Sequence, residues 1–280
     1  MKKQVHVCLP APMTAPEALS QVAELSKQAV KKAMNKGAVW IEEKGKRVRL
    51  RKASRQLSEG TKLWLFYDAE LLKRTVPPAK CVAASRGWSV WFKPAGMVTQ
   101  GSEWGDHLSL MRQVEKQQGK SVWMVHRLDR ETPGLVVLAH HRQAAGWLSQ
   151  QFQKRQVEKI YYAWVLGRLE GSGEINRPLD GKAARTVYEV CGYRAEPVLM
   201  TLVRIKLCTG RLHQIRRHFS AVGHPVVGDP RYGQTMPDQL PMQLLAWQLG
   251  FYPSPKSTQQ VFTVTEEMWH ESGVLQYSPL

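Results

Sequence analysis

The sequence predicts an α+β fold in two parts: a small basic N-terminal module and a larger domain with a mixed, largely antiparallel sheet flanked by helices. Two observations support this. From Cys81 onward strand-like runs outnumber helical ones, which disfavours a doubly wound parallel sheet. Residues 1–75 carry helix caps and hairpin signals of their own, and Pro77-Pro78 stiffens the stretch from Ala69 to Lys80, read as a linker. The expected division is therefore 1–75 and 81–280.

Within the N-terminal module, Thr14 followed by Glu17 has the spacing of a capping box and opens a short helix through Leu19, Val22 and Leu25. Ser26 caps a second helix, KQAVKKAMNK, which Gly37 ends in the left-handed region. Lys27, Lys31 and Lys32 share one face of it, while Ala29, Val30, Ala33 and Met34 turn inward. AVWIEE and KRVRLR are extended pieces around Lys44-Gly45, and KLWLFY reads as a buried strand after Glu59-Gly60. In the larger domain, GWSVWFKP, SVWMVHR, GLVVLAHH, KIYYAWVLGRL, ARTVYEVCGY and VLMTLVRIKL have strand character. Helices are expected at Arg142–Arg155 and Arg211–Val222, where apolar residues recur at helical spacing. From Tyr252 the chain is punctuated by Pro and Ser and carries one amphipathic stretch.

Composition narrows the partners. Forty Lys and Arg against 23 Asp and Glu give a formal net charge of +17, a field that attracts polyanions. Between Ser26 and Arg55 the basic residues fall on a helix and a hairpin, a shaped phosphate-binding surface rather than a loose tail. No apolar run approaches a membrane span, and the first residues lack the pattern of a secretory leader. The four cysteines form no CxxC pair, so they are expected to be reduced, buried core thiols of a cytoplasmic protein.

Reactive groups are expected on the polar connection His126–Gly134, mounted between two apolar strands. Asp129 lies there between Arg127 and Arg130, whose positive charge favours the carboxylate over the acid. Taken alone, HRLD reads as a turn whose aspartate caps local N–H groups. Four histidines, His126, His213, His218 and His224, lack metal-ligand spacing and are assigned structural or RNA-facing roles.

The wider sequence changes that balance. His126–Gly134 resembles the HRLD-x-x-(T)-(S)-G loop of RluA-type RNA pseudouridine synthases. Lys93-Pro94-Ala95-Gly96-Met97 resembles that family's entry motif, and Lys159–Gly167 its K-x-Y-x-A-x-V-x-G strand. Thr209–His218, continuing through Gly223–Asp229 and Tyr232-Gly233, is similar to its third motif. Four motifs in order are a specific signal. The N-terminal segment from Ser26 to Tyr67 is similar to S4 RNA-binding modules.

The resemblance implies the pseudouridine synthase fold and a catalytic trio of Asp129, Tyr161 and Arg216. Asp129 matches the essential carboxylate, Tyr161 the ring that stacks on a flipped base, and Arg216 the arginine that pairs with the aspartate. Arg127, Arg130, Lys159, Arg211, His213, Gln214 and Arg217 are candidate RNA contacts, with Lys27, Lys31 and Lys32 in the basic module. Arg217, some 100° around the helix from Arg216, is expected to meet phosphate or solvent. The implied reaction isomerises a uridine of structured ribosomal or transfer RNA and needs neither metal nor redox cofactor; the expected state is a monomer.

Three departures stand out. Pro133 replaces the usual serine, Leu212 the usual threonine, and Leu244-Leu245-Ala246-Trp247 a more usual Leu-His-Ala run. The turn after AVWIEE also departs from the short Asn-Gly form and suggests a longer loop. Two rival readings are a non-catalytic RNA-binding or ribosome-assembly protein on this fold, and a metal-dependent nuclease. The complete Asp-Tyr-Arg set argues against the first; the lack of a carboxylate cluster argues against the second.

Overall fold

The capping box forms. Thr14 N donates to Glu17 Oε2 at 2.9 Å, and helix α1 runs Ala15–Ala23 in the computed structural model, which describes residues 1–196, 198–234 and 240–276. Leu19 is buried, but Val22 faces solvent because only one stripe of so short a helix can turn inward. Ser26 Oγ accepts from Ala29 N at 3.1 Å and starts α2 (Lys27–Asn35), with Gly37 at φ +79° just beyond it. Val30, Ala33 and Met34 are buried, and Lys27, Lys31 and Lys32 are exposed.

Around these helices lie strands β1 (Lys2–Cys8), β2 (Met13–Thr14), β3 (Val39–Glu43), β4 (Lys46–Arg49), β5 (Gln56–Leu57) and β6 (Lys62–Asp68). The order β1-β6-β3-β4 makes a four-stranded antiparallel sheet, with β2 paired to β5. The loop between β3 and β4 is not long: Lys44 and Gly45, at φ +50° and +72°, close a two-residue turn. Both positive angles match the twist of a hairpin, so a lysine here does what Asn usually does. The expected linker also differs, because Asp68 Oδ1 accepts from Glu70 N and Leu71 N and opens helix α3 (Ala69–Lys73).

Packing assigns Met1–Val76 and Gln100–Gln117 to one unit, so the second stretch leaves the domain in which the sequence places it. Its hold is ionic and specific. Asp106 receives Arg49 Nε at 3.3 Å and also Arg51, while Trp40 Nε1 donates to Glu103 O at 3.0 Å. Helix α4 (Leu110–Gln118) buries Leu110 and Val114.

The second unit holds Pro77–Thr99 and the chain from Gln118 onward. Its strands are β7 (Lys80–Ala84), β8 (Trp88–Lys93), β9 (Trp123–Met124), β10 (Gly134–Ala139), β11 (Glu158–Leu166), β12 (Ser172–Ile175), β13 (Thr186–Arg194), β14 (Met200–Leu207), β15 (Leu244–Phe251) and β16 (Gln260–Thr263). One sheet runs β12-β13-β14-β11-β15-β10-β8-β7, with β16 on β15 and β9 on β10. The pairing is antiparallel except between β10 and β15, where Gly134 lies against Ala246. SVWMVHR is strand only at β9, because the polar loop begins at once after it. Helices α5 (Arg142–Gln153), α6 (Gln214–Ala221) and α7 (Glu266–Ser272) complete the unit. The core gathers Val90, Leu135, Val137, Trp164, Leu202 and Phe251.

The cysteines depart from expectation. Cys8 and Cys81 are exposed and Cys191 and Cys208 half-buried, all as free thiols. No helix among the described residues is long and apolar enough to cross a membrane.

Gly134 carries the largest local constraint. Its φ is +127°, Ala246 N donates to the neighbouring Pro133 O at 3.0 Å, and an added Cβ would overlap the Ala246 backbone. Gly134→Ala should therefore destabilise the protein by about 2–4 kcal/mol, combining left-handed strain with a backbone clash. Urea unfolding gives the answer; a loss below about 0.5 kcal/mol would show that β10 and β15 separate freely here.

Candidate active site

The loop between β9 and β10 is pinned by its backbone. Leu128 N donates to Thr99 Oγ1 at 3.1 Å, Thr132 N to Asp129 O at 3.2 Å, and Gly96 N to Arg130 O at 2.8 Å. Beneath it lies Lys93, fully buried, whose Nζ donates to the carbonyls of Met97 (2.8 Å), Pro94 (3.1 Å) and Arg130 (3.3 Å). Burial pushes the Lys93 ammonium down to about 7, against the pull of Asp129 and Glu131. His126 closes the other side: its Nε2 accepts from Val137 N at 3.0 Å and its ring stacks on Phe152 at 4.5 Å. Burial, with Lys159 nearby, drives this imidazole down to about 3, so it stays neutral and structural.

Asp129 is thereby held at the edge of a cleft of about 610 Å³, a size in the range of small-ligand pockets. Tyr161 on β11 and Arg216 on α6 line the same cleft. Arg216 Nη1 donates to Asp129 Oδ2 at 3.0 Å, and Nε and Nη2 grip Asp229 Oδ2 and Oδ1 at 2.7 and 2.8 Å. Asp229 in turn accepts from Arg231 N (2.9 Å) and Tyr232 N (3.1 Å). Burial opposes the charge on Arg216, but its hydrogen bonds to Asp229 and Asp129 outweigh that and raise its pKa. Burial likewise opposes the Asp229 carboxylate, and the Arg216 hydrogen bond leads the contacts that hold its pKa below the usual range.

Helix α6 aims Arg216 because its first turn is locked. Gln214 Oε1 accepts from Thr209 Oγ1 (2.7 Å) and Arg211 N (3.0 Å), and its Nε2 donates to Arg185 O (2.9 Å) and Thr186 Oγ1 (3.0 Å). His213, the N-cap at φ +52°, meets Tyr232 Oη at 3.1 Å through Nδ1 and places Nε2 at 3.7 Å from Asp129 Oδ1. Burial lowers the His213 pKa although Asp129 pulls it upward. Tyr161 is 8% exposed, and burial followed by the Asp129 charge raises its phenol well above the ordinary range. Tyr162 turns the other way, against Trp247 and Trp269.

The remaining candidates divide. Arg127, Lys159, Arg211 and His213 line the cleft, with Arg127 exposed. Arg130 does not line it, pairing with Glu131 at 2.7 Å, so neither flanking arginine is the aspartate's ionic partner. Arg217 makes two bonds to Asp180 at 2.8 and 3.0 Å and does not line the cleft. Gln214 reaches the cleft wall, but its amide is consumed in the turn. His218 and His224 bond Thr186 with Arg177 O, and Leu166 O, respectively, as structural histidines.

Sequence reasoning assigned no role to Asp229, to the Lys93 tether, or to Arg155, which lines the cleft from a left-handed backbone position at φ +59°. Asp229 was visible inside the third motif; a second buried acid near the motif's arginine is the signal that could have found it. Asp229→Asn should cost about 3 kcal/mol of stability, since it strips one carboxylate charge from a buried guanidinium. Chemical denaturation reads this, and a loss under about 1 kcal/mol would mean that Asp129 alone suffices to hold Arg216.

Comparison with known proteins agrees with this geometry. The family model for RNA pseudouridylate synthase matches residues 87–221. A protein of Aquifex aeolicus described as an uncharacterized RNA pseudouridine synthase is 32% identical over 278 residues, covering 87% of this chain and 86% of that protein. The dual-specificity RNA pseudouridine synthase RluA of Vibrio parahaemolyticus is 37% identical, covering 59% of this chain and 74% of its own length. The ribosomal large subunit pseudouridine synthase D of Nitrosomonas europaea is 38% identical, with 56% of this chain matched to 53% of that protein. Among solved structures, human RNA pseudouridylate synthase domain containing 1 superposes with a TM-score of 0.59 at 26% identity, over 69% of this chain and 85% of that one. Motifs, sheet and matched relatives converge: the chain belongs to the RNA pseudouridylate synthase family.

Proposed function

We propose that the protein isomerises a uridine of structured ribosomal or transfer RNA to pseudouridine, with Asp129 as the catalytic carboxylate. The observation that carries this is the convergence of Asp129, Tyr161 and Arg216 on one cleft although they lie on a loop, a strand and a helix. In the reaction the bond from uracil N1 to C1′ breaks, the base turns, and C5 bonds to C1′; N1 gains a proton and C5 loses one. A carboxylate can act here as nucleophile at the sugar or as base. Arg216 directs it, and Tyr161 offers a flat apolar surface to a base taken out of its stack, an extrusion that costs a few kcal/mol. Relatives carry names for both ribosomal and transfer RNA substrates, and the net charge of +17 suits either. We further assign residues 1–75 to an S4-like RNA grip, together with Gln100–Gln117, which packs on it. We place its action in the cytoplasm, with ribosomal and transfer RNA, and by a single copy of the chain.

Two measurements test it. With RNA carrying tritium at uridine C5, Asp129→Asn should lower tritium release by about 10³-fold or more while RNA binding persists. Release at the wild-type rate would remove Asp129 from its role. Replacing Lys27, Lys31 and Lys32 together by Gln should reduce the slope of log affinity against log salt by about 2–3, one phosphate contact for each lysine. Lys27 also stands 3.7 Å from Glu17, an exposed pairing that RNA phosphate would outcompete. A slope identical to wild type would take the N-terminal unit out of RNA binding.

A further inference from the structure

Three cations lie in or beneath the cleft wall, Arg216 and Lys93 buried and Lys159 half-buried, and the first two are satisfied within the protein. Arg216 has two carboxylates and Lys93 has three carbonyls. Lys159 has neither: among the described residues no hydrogen bond or ion pair reaches its ammonium, and Cys208 is the one group whose charge acts favourably on it. A thiol pairs with an ammonium only as thiolate. Partial burial pushes Lys159 down to about 8, with no carboxylate beside it to offset the loss of water.

Position adds to this. Lys159 precedes Tyr161 by two residues on β11, so strand alternation puts both on the cleft face, roughly 6.6–6.8 Å apart along the strand. That spacing is on the scale of the reach from a nucleotide's ring to its own phosphate. A Cβ built on Gly210 would stand 3.8 Å from Lys159 Nζ, an ordinary contact distance, so the turn at 209–210 runs close beside the ammonium. Arg127 and Arg155 lie exposed at the cleft wall, and Lys159 sits deeper than either.

We propose that Lys159 seats a phosphodiester flanking the flipped nucleotide, its ammonium donating to one non-bridging oxygen. This rests on the reading of the cleft as a uridine-isomerising site, and it deepens that reading by naming the atom received. A uracil carbonyl is a weaker match, because a neutral oxygen leaves the half-buried charge uncompensated, whereas phosphate supplies a full counter-charge. The subsite separates grip from chemistry: Asp129 faces the sugar, Tyr161 the base, Lys159 the backbone.

The test needs a modified uridine, found by mapping pseudouridine in total RNA from cells with and without the protein. An RNA hairpin carrying it is then made with one neutral methylphosphonate, at the linkage 5′ or 3′ of the target. With wild type, one of the two should lower kcat/KM for pseudouridine formation by about tenfold or more. In Lys159→Met the same linkage should have no further effect, and Lys159→Arg should restore sensitivity. Each variant is normalised to its own rate on the all-phosphate hairpin, so a misfolded fraction cancels. Losses that multiply at both linkages, or a wild type indifferent to both, overturn the inference while leaving the cleft reading intact. Finding no modified uridine overturns the cleft reading itself, and the inference with it.

Discussion

One guanidinium shared by two carboxylates organises this site. Arg216 is 3% exposed, and a charge so buried is tolerable only when matched. Asp229 makes the match: it takes two of the guanidinium's N–H groups and is itself fixed by two backbone amides. What remains of Arg216, a single Nη1, is spent on Asp129. Because Asp229 already neutralises it, Arg216 can fix the direction of the loop carboxylate without being the sole sink for its charge. The planar fork of arginine is what makes this division possible; a lysine offers no such geometry.

The same economy of charge explains the loop. Nothing in residues 126–133 is regular structure, yet each side of Asp129 is tied to the end of β8 and the turn that follows it, through Lys93, Gly96 and Thr99. His126 is held neutral by burial, and so a polar-looking segment contains few groups that can exchange protons near neutral pH. Precision at the carboxylate comes from backbone contacts, which tolerate changes in side chain better than an ion-pair network would.

How much of this the sequence disclosed depends on range. Local signals were reliable where they describe a single turn: Thr14 with Glu17, Ser26 with Gly37, and the alternation that set Tyr161 and Tyr162 on opposite faces all took the form expected. Motif order alone grouped Asp129, Tyr161 and Arg216 in one site. What escaped was pairing at a distance. Asp106 and Arg51 are 55 residues apart, and neither carries a local mark of the other. Arg127 and Arg130 misled for the opposite reason, since adjacency along the chain resembles an ion pair that the fold does not make. β1 went unread because its alternating pattern is polar on both ends, and Leu244–Phe251 because a buried strand has no periodicity to distinguish it.

The excursion of Gln100–Gln117 into the first unit bears on how the chain is made. That unit cannot be completed when Met1–Val76 has been synthesised, because Asp106 and α4 arrive only after β7 and β8 of the other unit are already out. During translation, therefore, Arg49 and Arg51 wait without their counter-ion while the first strands of the second sheet emerge. The ribosome thus delivers the two units interleaved, and the N-terminal unit is finished by residues that follow the beginning of the second.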